Sequence, residues 1–211
     1  GLILPGIAPI RDTLMGKWLY QGKGKFKKLK EFMDEFHKTG AKMFVQLTAG
    51  FGRSLAINDL MDKALKNKAL GVLLKPILDV DYLTASASAT PNRWDDECTS
   101  RPLTIKEIKQ MIEAFARTAK LCMDAGVDGV EIHAVHEGYL LDQFTMKYTN
   151  QRTDEYGGSF ENRYRFPVEI VKAIKERCGK DFPVSLRYSV LSKTKGFGKG
   201  ALPGEDSVEV G

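Results

Sequence analysis

Cysteine is scarce in this chain of 211 residues, and the three present, Cys98, Cys122 and Cys178, lie far apart. No C-x-x-C pair and no even framework exist, so the expectation is a reduced, cytoplasmic protein rather than a secreted disulfide scaffold. The same scatter excludes an iron–sulfur cluster held by these residues. No apolar run is long enough to span a bilayer, and no signal peptide is legible, so no membrane partner is expected. No G-x-G-x-x-G follows a strand pattern, which argues against a dinucleotide fold. The zinc helix motif H-E-x-x-H is missing as well. His133, His136 and Glu137 could ligate a metal, but their spacing is wrong and the segment does not read as a long helix, so no metal is expected. The net charge is only +5. The one basic run, Lys23 to Lys30, lacks the interleaved aromatics of a stacking platform. It reads as the start of a solvated helix rather than a nucleic-acid patch.

What remains is an ordinary globular composition, 43% hydrophobic and 28% charged, with enough chain for one sizeable core. Gly1 to Ile10 reads as the tail of a buried strand, with Pro5 and Pro9 confining it to a strand end. Phe26, Leu29, Phe32, Met33 and Phe36 recur at helical spacing, which predicts an amphipathic helix over 25–38 with Gly40 as its stop. Ala41 to Thr48 is a short apolar run, read as a strand. Residues 54–103 form a long loop insertion after it, with room for a short helix between Leu60 and Leu70; a connection of that length is uncommon unless functional or disordered. Thr104 and Glu107 form a capping-box signature, opening a helix with Ile108, Ile112, Phe115, Ala119 and Cys122 on one face. A strand over Val127 to Ile132 follows. A further helix is expected from about Ser159 to Cys178, although Pro167 requires a later start or a kink. Phe182 to Arg187 reads as the next strand, and Lys193 to Gly211 as loop. Strand and helix alternate, which predicts a parallel sheet with helical crossovers.

The most informative stretch is Val127 to Arg165, VDGVEIHAVHEGYLLDQFTMKYTNQRTDEYGGSFENRYR. An apolar strand delivers His133, His136 and Tyr139 at its carboxyl end, where α/β barrels keep their chemistry. Imidazoles donate N–H bonds and can polarise a carbonyl oxygen. A tyrosine hydroxyl can act as a general acid. This stretch resembles the active-site strand of the Old Yellow Enzyme family of flavin-dependent ene-reductases. Its HAVHEGYLLDQF form is most similar to the 2-enoate reductase branch. Most family members have H-x-x-H-G-Y; here Glu137 adds a residue before Gly138 and Tyr139.

The resemblance implies a partial TIM (β/α)8 barrel over residues 1–211, comprising about strands two to five with their helices. A complete barrel of this type takes about 250 residues, so a fragment or a truncated member is expected. It implies that Tyr139 protonates the substrate while His133 and His136 hold its carbonyl or carboxylate. Gln46, in QLTAGFGR before Arg53, would contact the flavin pyrimidine edge, and Arg187 would sit beside flavin N1 and O2. The implied cofactor is FMN, with NADH or NADPH as reductant. An iron–sulfur cluster and FAD would belong only to missing parts of a full-length parent. The implied partner is a small unsaturated acid or carbonyl compound, with other chain segments or a homo-oligomer completing the barrel. Arg152 to Gly158, with Asn162 and Arg163, would pin the loop after the histidine strand. Two other readings stay open: a truncated, non-catalytic remnant or interaction subunit unable to bind flavin alone, and a flavin-free barrel enzyme. The second lacks a lysine at a strand end in a recognisable role.

Overall fold

The computed structural model describes residues 1–12, 16–134, 139–189, 191–193, 199–203 and 208–210. In chain order its elements begin with β1 (Leu2–Ile3) and β2 (Ala8–Pro9), then α1 (Lys23–Phe36) and β3 (Lys42–Thr48). Between β3 and the next long helix come α2 (Asp59–Lys66), α3 (Lys68–Leu74), α4 (Val80–Leu83), β4 (Thr90–Pro91) and β5 (Thr99–Ser100). Then follow α5 (Ile105–Asp124), β6 (Gly129–Ala134), α6 (Leu140–Thr145), α7 (Phe160–Cys178) and β7 (Val184–Tyr188). A short antiparallel pair, β8 (Leu191–Lys193) and β9 (Val208–Val210), closes the sequence of elements. The tail expected as loop therefore carries a ladder.

The main sheet is parallel, in the order β1–β3–β6–β7, and β2 also pairs with β3. Leu2 lies beside Lys42 and Ala8 beside Leu47, so residues 2–9 run as one interrupted strand along the same neighbour. Each step between neighbouring strands is made through helices, as the alternating pattern requires. This is half of a (β/α) barrel. The expectation that 2–9 is buried fails at its start: Leu2, Ile3 and Leu4 are about half exposed. Among the described residues β1 pairs with β3 alone, and its apolar side chains are left at the surface.

Register sorts the strand residues into two faces, because successive side chains alternate. Leu47, Val130 and Ile132 are fully buried on the helix-covered face, in one core with Ile108, Phe115, Phe166 and Ile170 of α5 and α7. The opposite face is stacked in rows across the strands: Phe44 beside Gly129, then Gln46, Glu131 and Ser185, then Thr48, His133 and Arg187. Gly129 is required there, since a Cβ would lie 2.5 Å from the Phe44 ring.

Local signals hold the helices in place. α1 starts two residues before the expected Lys25, buries Phe26 and Met33, and ends through a 3-10 turn at Gly40, whose φ is +75°. Phe32, assigned to the buried stripe, is half exposed and stacks on Phe36. The Thr104 hydroxyl accepts the Glu107 N–H at 3.2 Å, and the Glu107 carboxylate accepts the Thr104 N–H at 2.8 Å. α7 runs through Pro167 without ending; the proline leaves the Arg163 carbonyl without its usual helical donor. Residues 54–103, read as a long loop, contain α2, α3 and α4 around a small separate core of Met61, Ala64 and Val80.

Candidate functional site

The carboxyl ends of β3, β6 and β7 converge on one polar surface. His133, the penultimate residue of β6, is 2% exposed. It is aligned with Thr48 on one side and Arg187 on the other. Tyr139 is the N-terminal boundary residue of α6, and its ring centre lies 5.0 Å from that of His133 at a 60° tilt. Phe51 meets Tyr139 edge-on from the other side, 4.7 Å away. The Leu140 N–H donates to the Gly50 carbonyl at 3.0 Å, tying the loop after β3 to the start of α6. Tyr139 thus contacts both an aromatic ring and an imidazole, and its carbonyl accepts the Gln143 N–H at 3.0 Å.

Gln46 lies one row below His133 and is 4% exposed. Its amide donates to the Glu131 carboxylate at 2.5 Å, and Ser185 donates to the other Glu131 oxygen at 3.1 Å. Arg187, at the open side of the sheet, is exposed. The expected residues Gln46, His133, Tyr139 and Arg187 therefore share one end and one face of the sheet. His136 lies outside the described residues. Glu131 was not singled out from sequence; the signal available was its place two residues before His133 on the same strand face.

Behind this surface is a buried polar knot. Arg53 is fully buried, not a loop-surface residue; its guanidinium donates to the Pro91 carbonyl at 2.9 Å and to the Gly200 carbonyl. Gln143 is also fully buried. It accepts from Ser86 at 2.8 Å and the Arg53 N–H at 3.3 Å, and donates to the Phe51 carbonyl at 2.8 Å. Gly52 fits against it with a φ of +54°; a Cβ there would come 2.2 Å from the Gln143 oxygen. The loop after α6 is pinned as the charged motif predicts. Arg152 forks onto Asp154 and donates to the Ala87 and Leu103 carbonyls at 2.9 and 2.7 Å. Arg163 donates to the Thr145 and Gly158 carbonyls at 2.7 and 2.9 Å. The two glycines divide their work: Gly158 has a φ of +80°, whereas Gly157 makes room for the Arg152 backbone, which a Cβ would approach to 2.2 Å.

Two features away from the strand ends are chemically quiet. An open groove of about 460 Å³ is lined by Ser88, Leu103, Thr104, Gln151 and Arg152 and includes none of the strand-end residues. Among the described residues, Asp62, Asp95 and Cys98 are grouped closely enough to hold an ion. There the thiol donates to Asp62 at 3.3 Å and to Asp95 at 3.5 Å, and Lys66 neutralises Asp62 at 2.8 Å. Burial first, then the two carboxylates, push the Cys98 thiol up to about 12, so it stays protonated at neutral pH. Among the described residues no helix is long and apolar enough to cross a membrane.

The chain is similar to known proteins in sequence and in fold. The chain is 47% identical over 181 residues to cinnamate reductase from Clostridium sporogenes, covering 86% of this chain and 24% of that protein. It is 53% identical over 79 residues to 12-oxophytodienoate reductase 1 from Oryza sativa subsp. japonica, covering 37% of this chain and 20% of the other. The Old Yellow Enzyme structure from Pichia sp. AKU4542 superimposes with a TM-score of 0.70 at 27% identity, over 95% of this chain and 49% of that one. The homologue from Zymomonas mobilis shares the fold, with a TM-score of 0.66. The chain thus spans about a quarter of the cinnamate reductase and half of the yellow-enzyme barrel. Residues 17–204 match the NADH:flavin oxidoreductase / NADH oxidase family, and the chain belongs to that family.

Proposed function

We propose that this chain is the flavin- and substrate-facing half of an FMN-dependent ene-reductase acting on α,β-unsaturated acids or carbonyl compounds. The observation that carries the reading is the contact of His133 with Tyr139 at the carboxyl end of β6, in the sheet rows that also hold Gln46 and Arg187. An amide, an imidazole and a guanidinium on one face suit a flat heteroaromatic ring with a polar edge. Bound FMN, recharged by NADH or NADPH, supplies the hydride that goes to the substrate β-carbon. The residues of the chain do the rest. His133, with His136, donates to the substrate oxygen and stabilises charge developing there. Tyr139 delivers the proton to the α-carbon from its hydroxyl. Gln46 would hold the polar edge of the flavin, and the Arg187 cation would favour negative charge on the reduced ring. The residues over 54–103 shape the substrate pocket, and the likeness to cinnamate reductase favours an aryl-substituted enoate. An iron–sulfur cluster and FAD belong to other segments of a longer parent.

The test is a flavin titration followed by the visible spectrum, then turnover of cinnamate. Saturable binding with a shifted flavin band is expected, and Tyr139→Phe should keep that band while lowering the reduction rate about a hundredfold or more. A Tyr139→Phe variant with unchanged rate would sink the proton-donor role. One observation favours a second reading, a non-catalytic remnant: the apolar β1 edge is exposed, as are Arg187 and Tyr188 at the end of β7. On that reading the barrel is completed by other chain segments or by a second copy, and the isolated chain is colourless and aggregates.

A further inference from the structure

We infer that Glu131 is a positioning residue that fixes which way the Gln46 amide faces, so that the site selects a ligand edge carrying an N–H beside a carbonyl. This rests on the flavin reading for the ligand's identity, but not for the orientation itself.

Glu131 stands between Gln46 and Ser185 in the sheet register. Both of its oxygens are engaged, one by the Gln46 Nε2 at 2.5 Å and the other by the Ser185 hydroxyl at 3.1 Å. The two ends of a glutamine amide are similar in shape, and only hydrogen-bond partners distinguish them. A carboxylate has lone pairs alone and accepts but never donates. Whatever atom of Gln46 faces Glu131 must therefore carry hydrogen. Turning the amide over would set an amide oxygen against a carboxylate oxygen, between a buried Gln46 and a part-buried Glu131, where solvent screens the repulsion less than at the surface. The amide is left with its oxygen and its second N–H for the ligand: one acceptor and one donor, side by side. Their complement is a cyclic imide edge, and the pyrimidine ring of a flavin presents one. The row spacing explains why the residue sits on β6. Two residues before His133 is the nearest place on the same face, so the group that orients the amide lies directly beneath the imidazole.

The experiment follows the side-chain NH2 signals of Gln46 in 15N-labelled chain without flavin, assigned by their loss in Gln46→Ala. Glu131→Gln and Glu131→Ala should each move these signals at neutral pH, because each removes the carboxylate that the amide N–H faces. FMN titrations then compare the unaltered chain, Glu131→Gln, Gln46→Ala and the double variant. Glu131→Gln is expected to weaken FMN binding about tenfold or more, and to add less than about twofold once Gln46 is already alanine. Gln46 signals indifferent to both Glu131 substitutions would overturn the inference, as would an equal loss of FMN affinity with and without Gln46. Should Glu131→Gln fail to fold, the Gln46 signals in Glu131→Ala decide. A chain that shows the amide shifts but no saturable FMN binding refutes the flavin reading and leaves the orientation standing.

Discussion

At the scale of single residues, the sequence is most misleading where it is most charged. An arginine in a loop motif is ordinarily a surface residue, yet Arg53 is fully buried and the Arg152 side chain is only 8% exposed. Both are held by backbone carbonyls of segments distant in the chain, which no local pattern reports. Arg152→Ala removes the donor to the Ala87 and Leu103 carbonyls and the partner of Asp154. A loss of about 3 kcal/mol is expected, read as a lower urea midpoint at unchanged slope. Arg152→Lys should rescue little of it, because an ammonium cannot span the same fork. An undiminished midpoint in the alanine variant would mean that water replaces the guanidinium. Tyr139 and Gln46, by contrast, were singled out by the resemblance of short local motifs, and Gln46 lies within β3 and Tyr139 at the start of α6.

At the scale of elements, ends and junctions matter more than interiors. Thr104→Ala breaks the capping box of α5 and should cost about 1 kcal/mol, measurable as a drop in thermal midpoint. Asp128 joins α1 to the sheet: it accepts from His37 at 2.9 Å, the Met43 N–H at 2.9 Å and Lys42 at 2.9 Å. Burial works to raise its carboxyl, but these donors outweigh it and hold the group at about 2, below its ordinary 3.8. A depressed folded value means the stabilisation is fully present above about pH 4 and drains away as pH falls toward about 2. Up to about 2 kcal/mol is at stake. Acid unfolding of Asp128→Asn should accordingly be less steep through that window than that of the unaltered chain; parallel curves would remove Asp128 from the acid response. The helix start at Thr104 was visible in the sequence because a capping box is local. The Asp128 junction was not, since its partners come from residues 37, 42 and 43.

At the scale of the whole molecule, the sheet has an apolar face sealed by helices and an opposite face lined with polar rows. The sealed face carries Leu47, Val130 and Ile132 at no exposure. A ligand that lies on the polar face binds only the folded chain, so it must raise stability by mass action. At FMN a hundredfold above its dissociation constant, the expected gain is about 2.7 kcal/mol. A thermal midpoint that climbs with FMN concentration supports the site, and a flat response at millimolar FMN argues for the remnant. Gly129→Val is a control for the same face. Its Cβ would collide with Phe44, so it should destabilise the sheet without touching the amide row.

The alternation of strands and helices, the starts of α5 and α7, and the cluster of titratable groups after Ile132 were written in the order of residues. Each rests on periodicity or on neighbours within a few positions. The pairing of Gln46 with Glu131, the burial of Arg53, the exposure of Leu2 to Leu4 and the ladder between 191–193 and 208–210 were not. They depend on which strands come to lie side by side and on which edge is left without a neighbour, and contacts between residues tens of positions apart exist only once the chain has folded.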